Sequence, residues 1–146
     1  MKTVAIIEAR MSSSRLPGKV LKPVRNKPII SYLIDRLKTI DILDEIIIAT
    51  TNKKSDDVLE KFAKENEVSF FRGSEEDVMG RVVEAGKSFK ADLVVEVTGD
   101  CPIIDPSIVE QLIKIFMVNE AAYVGNSHIH TYPEGMQAQI FKLETL

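Results

Sequence analysis

Short continuous apolar runs alternate along the chain with longer stripes of helical spacing. Val4, Ala5, Ile6 and Ile7 are consecutive, which predicts a strand over 3–9 that is covered on both faces. Ile46, Ile47 and Ile48 predict a second strand over 44–51. A third is expected at 68–71 and a fourth at 91–98, where Leu93, Val94, Val95 and Val97 cluster. Between them lie the helical stripes. Ile29, Ile30, Leu33, Ile34 and Leu37 follow an opening at Asn26-Lys27-Pro28. Val58, Leu59, Phe62 and Ala63 belong to a helix that Ser55-Asp56-Asp57 is expected to cap and that runs to about residue 66. Residues 75–89 read as a third helix. A fourth runs from Asp105-Pro106-Ser107 to 119 and bears Ile108, Val109, Leu112, Ile113 and Phe116. Residues 122–124 and 136–141 are candidates for a fifth and a sixth strand, with a polar, turn-rich loop at 125–135 between them.

Strands alternating with helices of this length predict an α/β fold around a parallel, doubly wound sheet. Such sheets bind ligands at the carboxyl ends of their strands. Segments 10–19, 50–52 and 98–102, with Arg72-Gly73, all lie at predicted strand ends.

Composition narrows the function classes. The chain has 146 residues, which suits one domain, and 1–146 is read as a single α/β domain. The last residues, Phe141 to Leu146, carry neither a helix stop nor a polar tail, so a C-terminal truncation is expected. Net charge is -3, and no broad basic field argues for a nucleic-acid partner. The apolar runs are too short to span a membrane, and Met1-Lys2-Thr3 lacks the pattern of a signal peptide. Cys101 is the lone cysteine and reads as a small buried residue, which with the other features makes a cytoplasmic location the expectation.

Against that background the loop after the first strand stands out. Ala9-Arg10-Met11-Ser12-Ser13-Ser14-Arg15-Leu16-Pro17-Gly18-Lys19 gathers three cations and three hydroxyls around a Pro-Gly turn. Guanidinium forks and a lysine point charge suit phosphate oxygens, and such a turn aims backbone amides at a ligand. A solvated surface loop would carry the same composition. The segment is neither a Walker loop nor a dinucleotide fingerprint. Taken alone, Asp100 reads first as a turn carboxylate before Pro102 and second as a cation ligand. Arg72 reads as a partner of Glu75 or Glu76, and Asp77 with Arg81 reads as an i,i+4 ion pair. His128 and His130 make a weak metal signal, and a mobile loop at 125–135 is the expectation for them.

The combination resembles a known family. Ala9-Arg10, Ser14-Arg15-Leu16-Pro17-Gly18-Lys19 and Asn26-Lys27-Pro28-Ile29-Ile30 are similar to the start of the sugar cytidylyltransferases, the group of CMP-Kdo and CMP-acylneuraminate synthetases. Arg72-Gly73-Ser74-Glu75-Glu76-Asp77-Val78 with Arg81, Val97-Thr98-Gly99-Asp100-Cys101-Pro102, and Tyr132-Pro133 with Gly135 resemble the branch of the spore coat polysaccharide biosynthesis protein F. The resemblance implies a three-layer α/β/α, mostly parallel nucleotide-diphosphosugar transferase (Rossmann-like) fold, with 1–146 a single nucleotidyltransferase-like domain, and transfer of CMP from CTP to an acidic or modified sugar for surface polysaccharide, with release of pyrophosphate. It implies that Arg10, Arg15 and Lys19 hold the phosphates, with Ala9 and Ser14 beside them, and that Asp100 binds Mg²⁺. Arg72 and Thr98 are expected near the base. Tyr132, Gln137 and Gln139 are expected near the sugar acceptor. Relatives complete the metal site with a later aspartate, and no residue after Asp105 matches it here. They also carry Gly-Leu-Asp-Val-Glu where this chain has Gly135-Met136-Gln137-Ala138-Gln139, so two amides replace two carboxylates. A homodimer is the assembly implied. Another nucleotidyltransferase, a nucleotide-sugar glycosyltransferase, and a catalytically weak nucleotide-binding or assembly module remain as alternatives.

Overall fold

The computed structural model describes residues 1–129 and 131–145. Strand β1, Thr3–Glu8, is the centre of the sheet, and its first five residues are buried. Residues 10–22 leave it as an irregular loop that closes in a 3-10 turn at Lys19–Leu21. A two-residue hairpin follows, pairing β2 (Pro23–Val24) with β3 (Lys27–Pro28) in antiparallel fashion. The sequence pattern hides this hairpin, because its turn residues Arg25 and Asn26 sit at φ 47° and 64°. Two successive left-handed residues are what a tight two-residue hairpin needs, and asparagine tolerates that region. The hairpin takes up part of the expected long loop, and the helix begins only after it.

Helix α1, Ile29–Leu37, buries Ile30, Leu33, Ile34 and Leu37. Strand β4, Glu45–Thr51, leads to α2, Asp57–Glu65. Ser55 does not cap α2, because it falls inside a 3-10 turn at Lys54–Asp56 and the helix starts without a side-chain cap. Strand β5, Ser69–Gly73, is followed by α3, Val78–Ser88. Strand β6, Leu93–Thr98, is followed by α4, Pro106–Val118, with Pro106 in its first turn and Asp105 accepting from Ser107 N. Strands β7, Tyr123–Gly125, and β8, Gln139–Lys142, complete the elements.

The sheet runs β5-β4-β1-β6-β8-β7. β5, β4, β1 and β6 are mutually parallel, while β8 pairs antiparallel with both β6 and β7. Strand alternation sends Ala5, Ile7, Ile48, Val95 and Val97 to one face, against Leu33 of α1, Leu59 of α2 and Ile113 of α4. Val4, Ile6, Ile47 and Val94 go to the other face, against Val82 and Ala85 of α3. The result is three layers around a mostly parallel sheet. It directs the carboxyl ends of β1, β4, β5 and β6 to one edge, and the loops leaving that edge form the site. No helix among the described residues is long and apolar enough to cross a membrane.

Candidate active site

The loop after β1 is held in shape by its own backbone and by one buried carboxylate. Met11 O accepts from Ser13 N and Gly18 N, both at 2.9 Å. Gly18 stands at φ 68°, and a Cβ there would come 3.0 Å from the Met11 Cε, so glycine suits this turn on both counts. Asp56 is fully buried at the start of α2; its Oδ1 accepts from Met11 N at 2.8 Å and its Oδ2 from the Thr51 hydroxyl. The sequence pattern assigns Ser55 the role of cap and Asp56 only a favourable place at the positive end of the helix dipole. Asp56 instead ties the loop after β1 to the end of β4.

Beside this loop opens a cavity of about 310 Å³. Ala9, Arg10, Ser14, Arg15 and Lys19 line it from the loop, and Thr98, Gly99 and Asp100 from the end of β6. Seven residues expected at the site thus meet around one space, although β1 and β6 are far apart in sequence. The two strand ends touch closely: Gly99 N donates to Glu8 O at 2.8 Å, and a Cβ on Gly99 would lie 2.8 Å from that oxygen. Only glycine permits this approach.

Charge is paired around the cavity. Lys19 Nζ makes an ion pair with Asp100. Burial pushes the Asp100 carboxyl up, but hydrogen bonds from Lys19 and Thr98 together with the Lys19 charge outweigh it and hold the group below the usual aspartate range. Arg10 Nη1 lies 3.8 Å from Glu75, which also takes the Ser12 hydroxyl and the Lys53 ammonium. Hydrogen bonds from Lys53 and Ser12, more than the charges of Lys53 and Arg10, hold Glu75 low. Glu75 therefore links the loops after β1, β4 and β5.

Other expected residues lie elsewhere. Arg72 does not line the cavity, and its partners are not Glu75 or Glu76. Its Nε donates to Thr51 O at 2.9 Å, Nη2 to Lys53 O at 2.8 Å, and Nη1 to Asp57 at 2.7 Å and Glu60 at 3.0 Å. All three nitrogens are spent fastening α2 to the end of β4. Asp77 and Arg81 do not pair either. Asp77 Oδ1 caps α3 by accepting from Gly80 N at 2.8 Å. Arg81, 2% exposed, turns inward, donates to Ser74 O and approaches Glu8 with Nη2 at 3.4 Å. Tyr132 is exposed outside the cavity. Gln137 Oε1 accepts from Gly135 N, and Gln139 Oε1 accepts from the Tyr123 hydroxyl, each at 2.8 Å. The Tyr123 and His128 rings lie tilted 5.9 Å apart, while His130 lies outside the described residues. Cys101 is buried, with its Sγ 3.1 Å from Thr98 Oγ1.

Two residues that the sequence did not single out, Glu8 and Glu96, belong to this neighbourhood together with Arg81. Glu8 from β1 and Arg81 from α3 line the cavity. Glu96, 6% exposed on β6, lies on the same sheet face. Burial, followed by the hydrogen bond and charge of Glu8, pushes Glu96 up to about 8. The available signal was a carboxylate inside an apolar strand run, which is costly unless it is neutral or paired.

The arrangement has known counterparts. The chain is 32% identical over 145 residues to the spore coat polysaccharide biosynthesis protein SpsF of Bacillus subtilis, covering 97% of this chain and 59% of that protein. It is 32% identical over 125 residues to a 3-deoxy-manno-octulosonate cytidylyltransferase of Trichlorobacter lovleyi, covering 86% of this chain and 49% of that one. A solved cytidylyltransferase structure from Leptospira borgpetersenii superposes with a TM-score of 0.93 at 37% identity, over 99% of this chain and 61% of that one. The chain thus spans about half to three fifths of the length of these relatives. A family profile described as Cytidylyltransferase matches residues 4–141, from within β1 to within β8. By fold, by the loop that closes on the cavity and by this match, the chain belongs to the cytidylyltransferase family.

Proposed function

We propose that this chain carries the nucleotide-binding part of an enzyme that transfers CMP from CTP to an acidic or modified sugar for surface polysaccharide. One observation supports this reading most: Arg10, Arg15 and Lys19 converge with Asp100 on a single cavity at the carboxyl ends of two adjacent parallel strands. Concentrated positive charge beside a strand-end carboxylate suits a triphosphate.

In this reading Arg10, Arg15 and Lys19 hold the β- and γ-phosphates. Lys19 leaves Asp100 for the triphosphate as the nucleotide enters. Asp100 is the residue that would hold Mg²⁺. No cluster of three or more metal-ligating side chains occurs among the described residues. One carboxylate fits this ion, which takes its remaining ligands from phosphates and water. When bound, the ion neutralises charge on the phosphate oxygens. A hydroxyl oxygen of the sugar attacks the α-phosphorus and gives its proton to water, the bond to the bridging oxygen breaks, and pyrophosphate leaves with the electron pair. Arg10, Arg15 and Lys19 stabilise the charge that builds on it. The serines of the loop supply donors and not a nucleophile. The two carboxylates of the relatives' pattern are amides here, and Gln137 and Gln139 are engaged within the chain, which points to an acceptor chosen by other groups.

The test is incubation with CTP, Mg²⁺ and a panel of acidic sugars, following pyrophosphate. Release with one sugar and CTP, but not with UTP, GTP or ATP, is the expected result. Tight CTP binding without release under any acceptor would count against catalysis by this chain.

A further inference from the structure

Beneath the cavity, β1 and β6 bring two carboxyl groups together on the sheet face that α3 covers. The strand register pairs Ile6 with Glu96 and Glu8 with Thr98, so Glu8 and Glu96 are diagonal neighbours on one face. Glu96 is 6% exposed, and its Oε2 is buried without a hydrogen-bond partner among the described residues. Two ionised carboxylates side by side on a buried face repel and can only accept, so the arrangement is stable when one of them keeps a proton that it can donate to the other.

The surroundings decide which one. From α3, Arg81 lies 3.4 Å from Glu8. From β8, the residue opposite Glu96 is Gln139, an uncharged amide whose oxygen is already taken by the Tyr123 hydroxyl. From β4, the residue beside Glu8 is Ala49. From β6 itself the next side chain on this face is Thr98. The cation therefore faces Glu8, and among the described residues no donor reaches Glu96 Oε2. Glu8 and Arg81 line the cavity, whereas Glu96 lies behind them.

We propose that Glu96 is a positioning residue: as a neutral acid it donates to Glu8, keeps the Glu8–Arg81 wall of the cavity free of net charge, and so sets how tightly the cavity takes a nucleoside triphosphate. This rests on the nucleotide reading above. When the proton goes to solvent, two carboxylates face one guanidinium. The wall then carries a net negative charge next to the phosphates, and Glu8 is pushed away from its partner. The direction in which burial and Glu8 move Glu96 agrees with this. The loss falls where the triphosphate is already ionised, since its last proton leaves near pH 6.

Two measurements on the full chain test it. Infrared spectroscopy of the unliganded protein should show a protonated carboxyl band at pH 7 that disappears as pH rises past about 8. The band should be missing in Glu96→Gln. Calorimetric CTP binding between pH 7 and 9 should weaken roughly tenfold in the wild type, as expected for one added charge near a triphosphate. In Glu96→Gln the affinity should be flat across that window. Absence of the band at pH 7 overturns the acid pair, whatever CTP does. A titrating band with pH-independent CTP affinity overturns the coupling. A titrating band in a chain that binds no CTP at any pH overturns the nucleotide reading, and the coupling falls with it. The wild-type measurements decide the matter even if Glu96→Gln fails to fold.

Discussion

Arg15 and Asp100 show how differently two residues of one cavity are held. Arg15 is exposed at the rim, and among the described residues its guanidinium joins no buried network. Arg15→Ala should therefore weaken CTP binding about tenfold or more, as loss of a charge-assisted phosphate contact does. It should move unfolding free energy by no more than about 0.5 kcal/mol, the usual range for surface positions. Calorimetric titration and chemical denaturation of the same sample would read both. Asp100 is tied to Lys19. Asp100→Asn keeps the shape, removes the charge and frees the lysine. Pyrophosphate release should lose its dependence on Mg²⁺ and fall to background. A magnesium titration of turnover that matches the wild type would show that another group holds the metal.

At the scale of elements, the cavity depends on how the loop after β1 is fastened to its neighbours. Asp56, at the start of α2, accepts from Met11 N and from the Thr51 hydroxyl in a fully buried position. Asp56→Ala strands both donors, which costs on the order of 2 kcal/mol or more. Because Met11 sits inside the phosphate loop, CTP affinity should fall together with stability. Urea unfolding and CTP titration of Asp56→Ala should thus move in step, in contrast to Arg15→Ala. The same reasoning explains the two elements that sequence patterning misplaced. The β2–β3 hairpin depends on left-handed backbone at Arg25 and Asn26, which leaves no mark in hydrophobic spacing. The start of α2 was assigned to Ser55 as a cap, but Ser55 falls inside the preceding 3-10 turn, and the carboxylate of Asp56 satisfies buried donors instead.

For the molecule as a whole, the sheet places ionisable groups where their protonation is linked to folding. Glu96 has an ordinary value of 4.5 and is pushed to about 8 in the folded chain, by burial first and Glu8 second. The folded state therefore holds a proton that the unfolded chain gives up between those values. Linkage makes that contribution complete below about 4.5, and it is lost as pH rises through about 8. Denaturation series at pH 5, 7 and 9 should show the wild type losing stability toward alkaline pH. Glu96→Gln should lose less over the same span, and an equal slope in both would refute this placement of the proton. Asp100, held low, acts in the opposite direction, losing its contribution as pH falls into the acid range.

What the sequence determined by itself was the periodicity and the local chemistry. The runs at Val4–Ile7, 46–48 and 93–97, with the helical stripes between them, specify alternating parallel strands, because burial on both faces demands continuous apolar residues. The cationic loop was visible because its charges are adjacent in the chain, and the family resemblance attached Thr98 and Asp100 to it. Tertiary structure decided which of these groups meet. It put Arg72 onto α2, turned Arg81 away from Asp77 toward Glu8, and set Glu8 beside Glu96 across two strands nearly ninety residues apart. Spacing along a helix offers a partner, but the direction of each side chain and the burial around it are set by packing from distant segments. Those quantities also decide where a proton or a charge is stable.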